Sequence, residues 1–237
     1  MAKKSESNDR RRRIEEIKKQ QKSSERRTTY IFVGVAVLLA AGLIAGAVIF
    51  GGAGTGEVEL STFGAAKADA GCADVVEADK ELTGQHVGPG ASSAELAGIT
   101  TVQYATTPPT GGDHYLQTAP PNKGFYDRDD AIQPERLVHN LEHGYVVVWY
   151  DKGASDDDVD MLRSISRNVS DVSSTFGPKF IVAPYERGDF ADDANIGMTG
   201  WGASQLCTDV SGEAIQAFVD DYRAGGKKAK APEPNAG

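Results

Sequence analysis

Only two cysteines occur in 237 residues, Cys72 and Cys207, and no C-x-x-C is present. A thioredoxin-type dithiol is therefore excluded. Charge is missing altogether from residues 30–50, YIFVGVAVLLAAGLIAGAVIF, which also hold no Pro, Asn or Gln. A buried amphipathic helix would show a polar stripe, and this run shows none. A secretory signal has a shorter apolar core of about 7–15 residues. Large apolar residues are scarce before the run: within residues 1–29 only Ile14 and Ile17 qualify, too few to pack a helix. No internal repeat is present.

What is there follows from those gaps. About 20 apolar residues cross a bilayer core, so residues 30–50 are expected to be one transmembrane helix. Eleven Lys and Arg against five acids give residues 1–29 a charge of +6. The whole chain is −9 and the run is neutral, so residues 51–237 carry −15. Basic residues beside a span stay in the cytoplasm, which places the tail inside and the large domain outside, at the cell membrane. The acidic domain would repel phosphates, so nucleic acid is not expected as its partner. Outside the cytoplasm cysteines pair, and Cys72 with Cys207 is the expected disulfide.

The expected organisation is a basic tail over 1–29, the span over 30–50, a linker over 51–71, a folded domain over 72–224 and a disordered tail over 225–237. The linker opens GGAGTG, and the C-terminal tail GGKKAKAPEPNAG is rich in Gly, Pro and Lys. Up to about residue 134 the domain reads as loops, with PPT, GGDHY and APPNKG as turn chemistry. Residues 144–150, GYVVVWY, read as a buried strand, 179–184 as a second and 196–201 as a third. Ser155 caps a helix whose apolar face is Val159, Leu162, Ile165 and Val169. Ser211 caps a last helix bearing Ile215, Phe218, Val219 and Tyr222. This order predicts an α+β fold: a small sheet with helices packed on one face, preceded by a loop-rich half and attached to one N-terminal transmembrane helix.

The chemistry resides in the histidines. RLVHNLEHGYVVVWY, residues 136–150, places His139 and His143 four apart, so both imidazoles share one face of a helical turn that Gly144 stops. His114 arrives from a loop bent by Gly111 and Gly112. Three imidazoles suit zinc or copper, and the Met198 thioether would favour copper. Glu142 is the candidate carboxylate that accepts from an imidazole N–H and so orients the ring. His86, in the polar QHVGPG loop, is left outside the expected set. Taken literally, HNLEH also matches the H-x-x-E-H pattern of inverted zinc peptidases, but a strand begins too soon after it for a long helix.

PPTGGDHY followed by LVHNLEHGYVVVWY, with Trp201 and Cys207 later, resembles an actinobacterial membrane-protein family catalogued as domain of unknown function 3105. The resemblance runs from about residue 72 to 222. It implies membrane anchoring and a shared extracytoplasmic fold, and no particular activity. Three readings stand at this point: a copper-favoured metal-binding module, an envelope interaction or structural protein without metal, and a zinc-dependent hydrolase.

Overall fold

The computed structural model describes residues 60–170 and 178–235, all within the unit Glu57–Gly237. The basic tail and the apolar run lie outside the described residues. Among the described residues no helix is long and apolar enough to cross a membrane.

Among the described residues the fold is α+β, with a mixed five-stranded sheet and four helices. The sheet comprises β1 (Val76–Glu77), β4 (Val146–Tyr150), β5 (Phe180–Pro184), β6 (Ile196–Gly200) and β7 (Ala203–Cys207), in the order β1-β7-β6-β4-β5. Only β4 and β5 run parallel; the remaining pairs are antiparallel. A separate two-stranded parallel pair joins β2 (His86–Val87) to β3 (His114–Tyr115). The helices are α1 (Ala94–Ala97), α2 (Pro134–Glu142), α3 (Asp156–Ser170) and α4 (Gly212–Tyr222).

Local signals explain the two long helices. Ser155 Oγ accepts from the Asp158 N–H at 3.2 Å, and the Asp158 carboxylate accepts from the Ser155 N–H at 3.0 Å. This reciprocal cap satisfies two otherwise unpaired donors. Three acids follow at the positive end of the helix dipole. Val159, Leu162, Ile165 and Val169 are all buried, each contributing roughly 1.5–3 kcal/mol. Ser211 caps α4 through the Ala214 N–H at 3.2 Å.

The expected sheet with helices on one face is corrected: both faces are covered. Val146, Val148 and Tyr150 point into a core shared with α3 and α4. Val147 and Trp149, the alternate residues of the same strand, point into a second core with Leu137, Val138 and Leu141 of α2. A strand buried on both faces reads as a continuous apolar run, as VVVWY does. Strand β7 escaped the sequence reading because ASQLC lacks a β-branched run. It forms as the return arm of a hairpin whose turn is Trp201 and Gly202, the latter at φ 73°. The disulfide is formed between Cys72 and Cys207, with S–S 2.10 Å and Cα atoms 3.9 Å apart, closer than the usual separation of about 5.5–6 Å.

Two segments expected to be loose are packed. Leu60 is buried in the first core, and the Gly212 N–H donates to the Phe63 carbonyl, so the described part of the linker joins the domain. The tail expected to be disordered folds back along α2: the Glu233 N–H donates to the Glu142 carbonyl at 3.1 Å, and Ala231 packs on the second core. Lys179 Nζ donates to the Pro234 carbonyl at 2.8 Å. Buried cation and backbone carbonyl supply what apolar side chains do not.

Candidate metal centre

Helix α2 starts at Pro134, whose missing N–H costs nothing at a first helical turn. It ends because Gly144 takes φ 79°, where a Cβ would lie 2.6 Å from that of Ala224. Its last turn presents His139 and Glu142 on one face. Opposite stands the β2–β3 pair, in which His86 and His114 are register partners. Gly84 makes that pairing possible: a Cβ there would lie 2.1 Å from the Gly112 carbonyl oxygen. Gly112, at φ 111°, turns the chain toward His114.

Three rings converge. The centroid of His86 is 5.0 Å from that of His114 and 4.9 Å from that of His139, and His114 and His139 are 4.8 Å apart. One donor atom from each of His86, His114, His139 and Glu142 lies within 4.8 Å of all the others. Trp201 closes one side, edge-on to His114 at 6.3 Å.

Backbone carbonyls fix the tautomers. His114 Nδ1 donates to the Gly112 carbonyl at 2.8 Å, and His139 Nδ1 donates to the Tyr115 carbonyl at 2.7 Å. A carbonyl only accepts, so each neutral ring keeps its lone pair on Nε2. Such N–H to carbonyl contacts are what orient imidazoles toward a metal. His114 Nε2 then faces the Glu142 carboxylate at 3.1 Å without the alignment of a hydrogen bond. His86 Nε2 is buried with no hydrogen-bond partner among the described residues. Buried polar atoms left this way carry a cost that a ligand can remove. Burial pushes the His139 imidazole down to about 4, helped by the neighbouring His114, while its hydrogen bond to Tyr115 opposes the shift. The ring is therefore a neutral donor at physiological pH.

The structure brings His114, His139 and Glu142 together and adds His86, which the sequence reading omitted. A histidine flanked by Gly84 and Gly88 was the available signal; the pairing of β2 with β3 that makes it a partner of His114 is not visible in a single sequence. Glu142 is placed among the donor atoms rather than behind them. His143 stands one step outside: its ring is 4.6 Å from that of His139, and Nδ1 contacts the Glu233 carbonyl at 3.3 Å. Met198 is not brought to the site. It pairs with Val148 and shares its face, in the core on the opposite side of the sheet. Strand alternation places it there. Both cysteines are consumed by the disulfide, so no thiolate donor remains.

No curated protein and no solved structure matches this chain. The family model described as protein of unknown function (DUF3105) matches residues 97–237, a stretch that holds His114, His139, Glu142 and His143 but begins after His86. The chain belongs to the DUF3105 family.

Proposed function

We propose that this domain binds one divalent transition-metal ion, zinc favoured, through His86, His114, His139 and Glu142, on the outer face of a membrane spanned by residues 30–50. The observation that carries the reading is the approach of His114 Nε2 to the Glu142 carboxylate at 3.1 Å, with the ring's other nitrogen committed to a carbonyl. Two lone-pair donors that close repel unless a cation lies between them. Tetrahedral zinc with bonds of about 2.0–2.1 Å separates its ligands by about 3.3 Å, close to the contact observed.

The donor set also bears on which metal and which role. Three imidazoles and a carboxylate suit zinc or Cu(II); the Cu(I) preference rested on Met198, which lies across the sheet. Four protein donors fill a tetrahedral ion, which is the arrangement of holding sites, whereas catalytic zinc keeps a position open. The H-x-x-E-H hydrolase pattern needs both histidines on the metal and the glutamate off it. Here Glu142 is grouped with the donors and His143 is not. A metal-free reading survives as an envelope interaction protein in which the close approach of His114 and Glu142 is structural.

Titration of the full-length apo protein with Co(II) separates the two. One equivalent should produce the visible absorption of four-coordinate cobalt, and Zn(II) should bleach it. Absence of any spectral change leaves the metal-free reading. The membrane placement rests on the apolar run and the +6 tail. A reporter fused after residue 237 should be active only outside the cytoplasm; activity inside reverses the topology.

A further inference from the structure

Three of the four donors, His114, His139 and Glu142, are buried and His86 is half-buried, which raises the question of how an ion reaches them. His114 and His139 are 1% and 6% exposed, and the free nitrogen of His86 has no accessible surface. On the His86 side the half-buried ring is held in the β2–β3 ladder. Access beside Trp201 would require moving a ring that is 4% exposed at a hairpin turn of the main sheet.

The remaining side is the end of α2. There His143 follows Glu142 directly, and its side chain is 8% exposed. Its Nδ1 lies 3.8 Å from the carboxylate of Glu233, which is 56% exposed. The two are held in place through their backbones. Lys179 Nζ donates to the carbonyls of His143 and Pro234 at 2.7 and 2.8 Å, and the Glu233 N–H donates to the carbonyl of Glu142 itself. A carboxylate in solvent and two buried imidazoles thus follow one another, with 4.6 Å between the centroids of His143 and His139.

We propose that Glu233 and His143 form a capture pair through which the ion reaches and leaves the buried donors, an inference that rests on the metal site proposed above. The chemistry suits the task. An exposed carboxylate collects a divalent cation by charge, and the acidic domain raises the local cation concentration. An imidazole then replaces lost water ligands before the ion meets His139. A station on a path lowers the barrier in both directions. Its loss therefore slows uptake and release together and leaves the dissociation constant unchanged. Loss of a true ligand does the opposite: release quickens and affinity falls.

The test mixes full-length apo protein with Zn(II) in a stopped-flow instrument, follows tryptophan fluorescence, and measures release into excess chelator. Glu233→Gln changes an exposed side chain and leaves the packing intact; His143→Gln is the second variant, and Asp160→Asn on α3 is a charge-matched control. Glu233→Gln and His143→Gln should each slow association and dissociation by roughly tenfold, with the dissociation constant and stoichiometry of the wild type, while Asp160→Asn changes neither rate. Wild-type rates in both variants overturn the capture pair alone. So does faster release with weaker binding, which would make the two residues ligands. Failure of the wild-type chain to take up Zn(II) removes the metal site and the capture pair together.

Discussion

His86 and His114 are register partners across the β2–β3 pair, their ring centroids 5.0 Å apart and nearly perpendicular. Each comes from a stretch that has no periodic pattern, and each is aimed at α2 by two residues of parallel ladder.

This relationship makes His86 essential. His86→Ala, His114→Ala and His139→Ala should each abolish the rise in melting temperature that Zn(II) gives the wild type, a rise worth about 2.7 kcal/mol at a hundredfold excess over the dissociation constant. Met198→Leu, a near-isosteric change in the opposite core, should retain it. A thermal melt with and without Zn(II) checks both; a retained shift in His86→Ala would remove that residue from the site.

How much of this was legible depends on the segment. The strand VVVWY and the capped helices α3 and α4 follow from local pattern, because their periodicity and caps agree with the packing, and the disulfide follows from there being only two cysteines to pair. Helical spacing put His139 and His143 on one turn as the expected pair, whereas the fold groups Glu142 rather than His143 with His139. His86 was not legible, since its partner lies across a long loop and strand register is set by tertiary contacts. Met198 misled for a related reason: chemistry named it a ligand, whereas the face of β6 on which it falls depends on pairing with β4. The C-terminal tail misled through composition, because its order comes from backbone hydrogen bonds to Glu142 and Lys179 rather than from apolar side chains.

The apo domain should lose stability in mild acid. In the unfolded chain His139 takes a proton near its ordinary value of about 6.5, while in the fold it resists until about 4. Unfolded protein thus binds more protons over that window, so stability falls as pH drops from about 6.5 to 4 and is insensitive to this group above it. The full contribution is about 3 kcal/mol. Denaturant titrations of apo protein across the window should show a slope that His139→Gln reduces. An equal slope in the variant contradicts the assignment.

Glu135 is fully buried, and Arg187 grips its carboxylate with both terminal nitrogens while the Val102 N–H donates to Oε1 at 2.8 Å. The pair ties the segment after β5 to α2, and the Val102 N–H adds the loop before β3. Arg187→Ala leaves a buried carboxylate without its cation, and breaking such a pair costs about 3–5 kcal/mol. Equilibrium unfolding should report a loss of this order. A change under about 1 kcal/mol would mean that water replaces the guanidinium.

Reduction of the disulfide should destabilise the domain without dismantling the site. Cys72 and Cys207 are 135 residues apart, and closing a loop of that length stabilises by up to about 5 kcal/mol in the chain-entropy model. Cys72→Ser/Cys207→Ser should therefore melt at lower temperature yet still bind Zn(II) under native conditions. Lost binding in a folded double variant would tie the disulfide to the metal centre.

The most direct measurement is elemental analysis of the full-length protein purified without chelators, repeated after dialysis against Zn(II). We expect one zinc per chain in the wild type and none in His114→Ala/His139→Ala. A wild-type protein that holds no stoichiometric metal, and whose melting temperature Zn(II) and Cu(II) both leave unchanged, would contradict the metal centre and leave His114 and Glu142 as a structural pair.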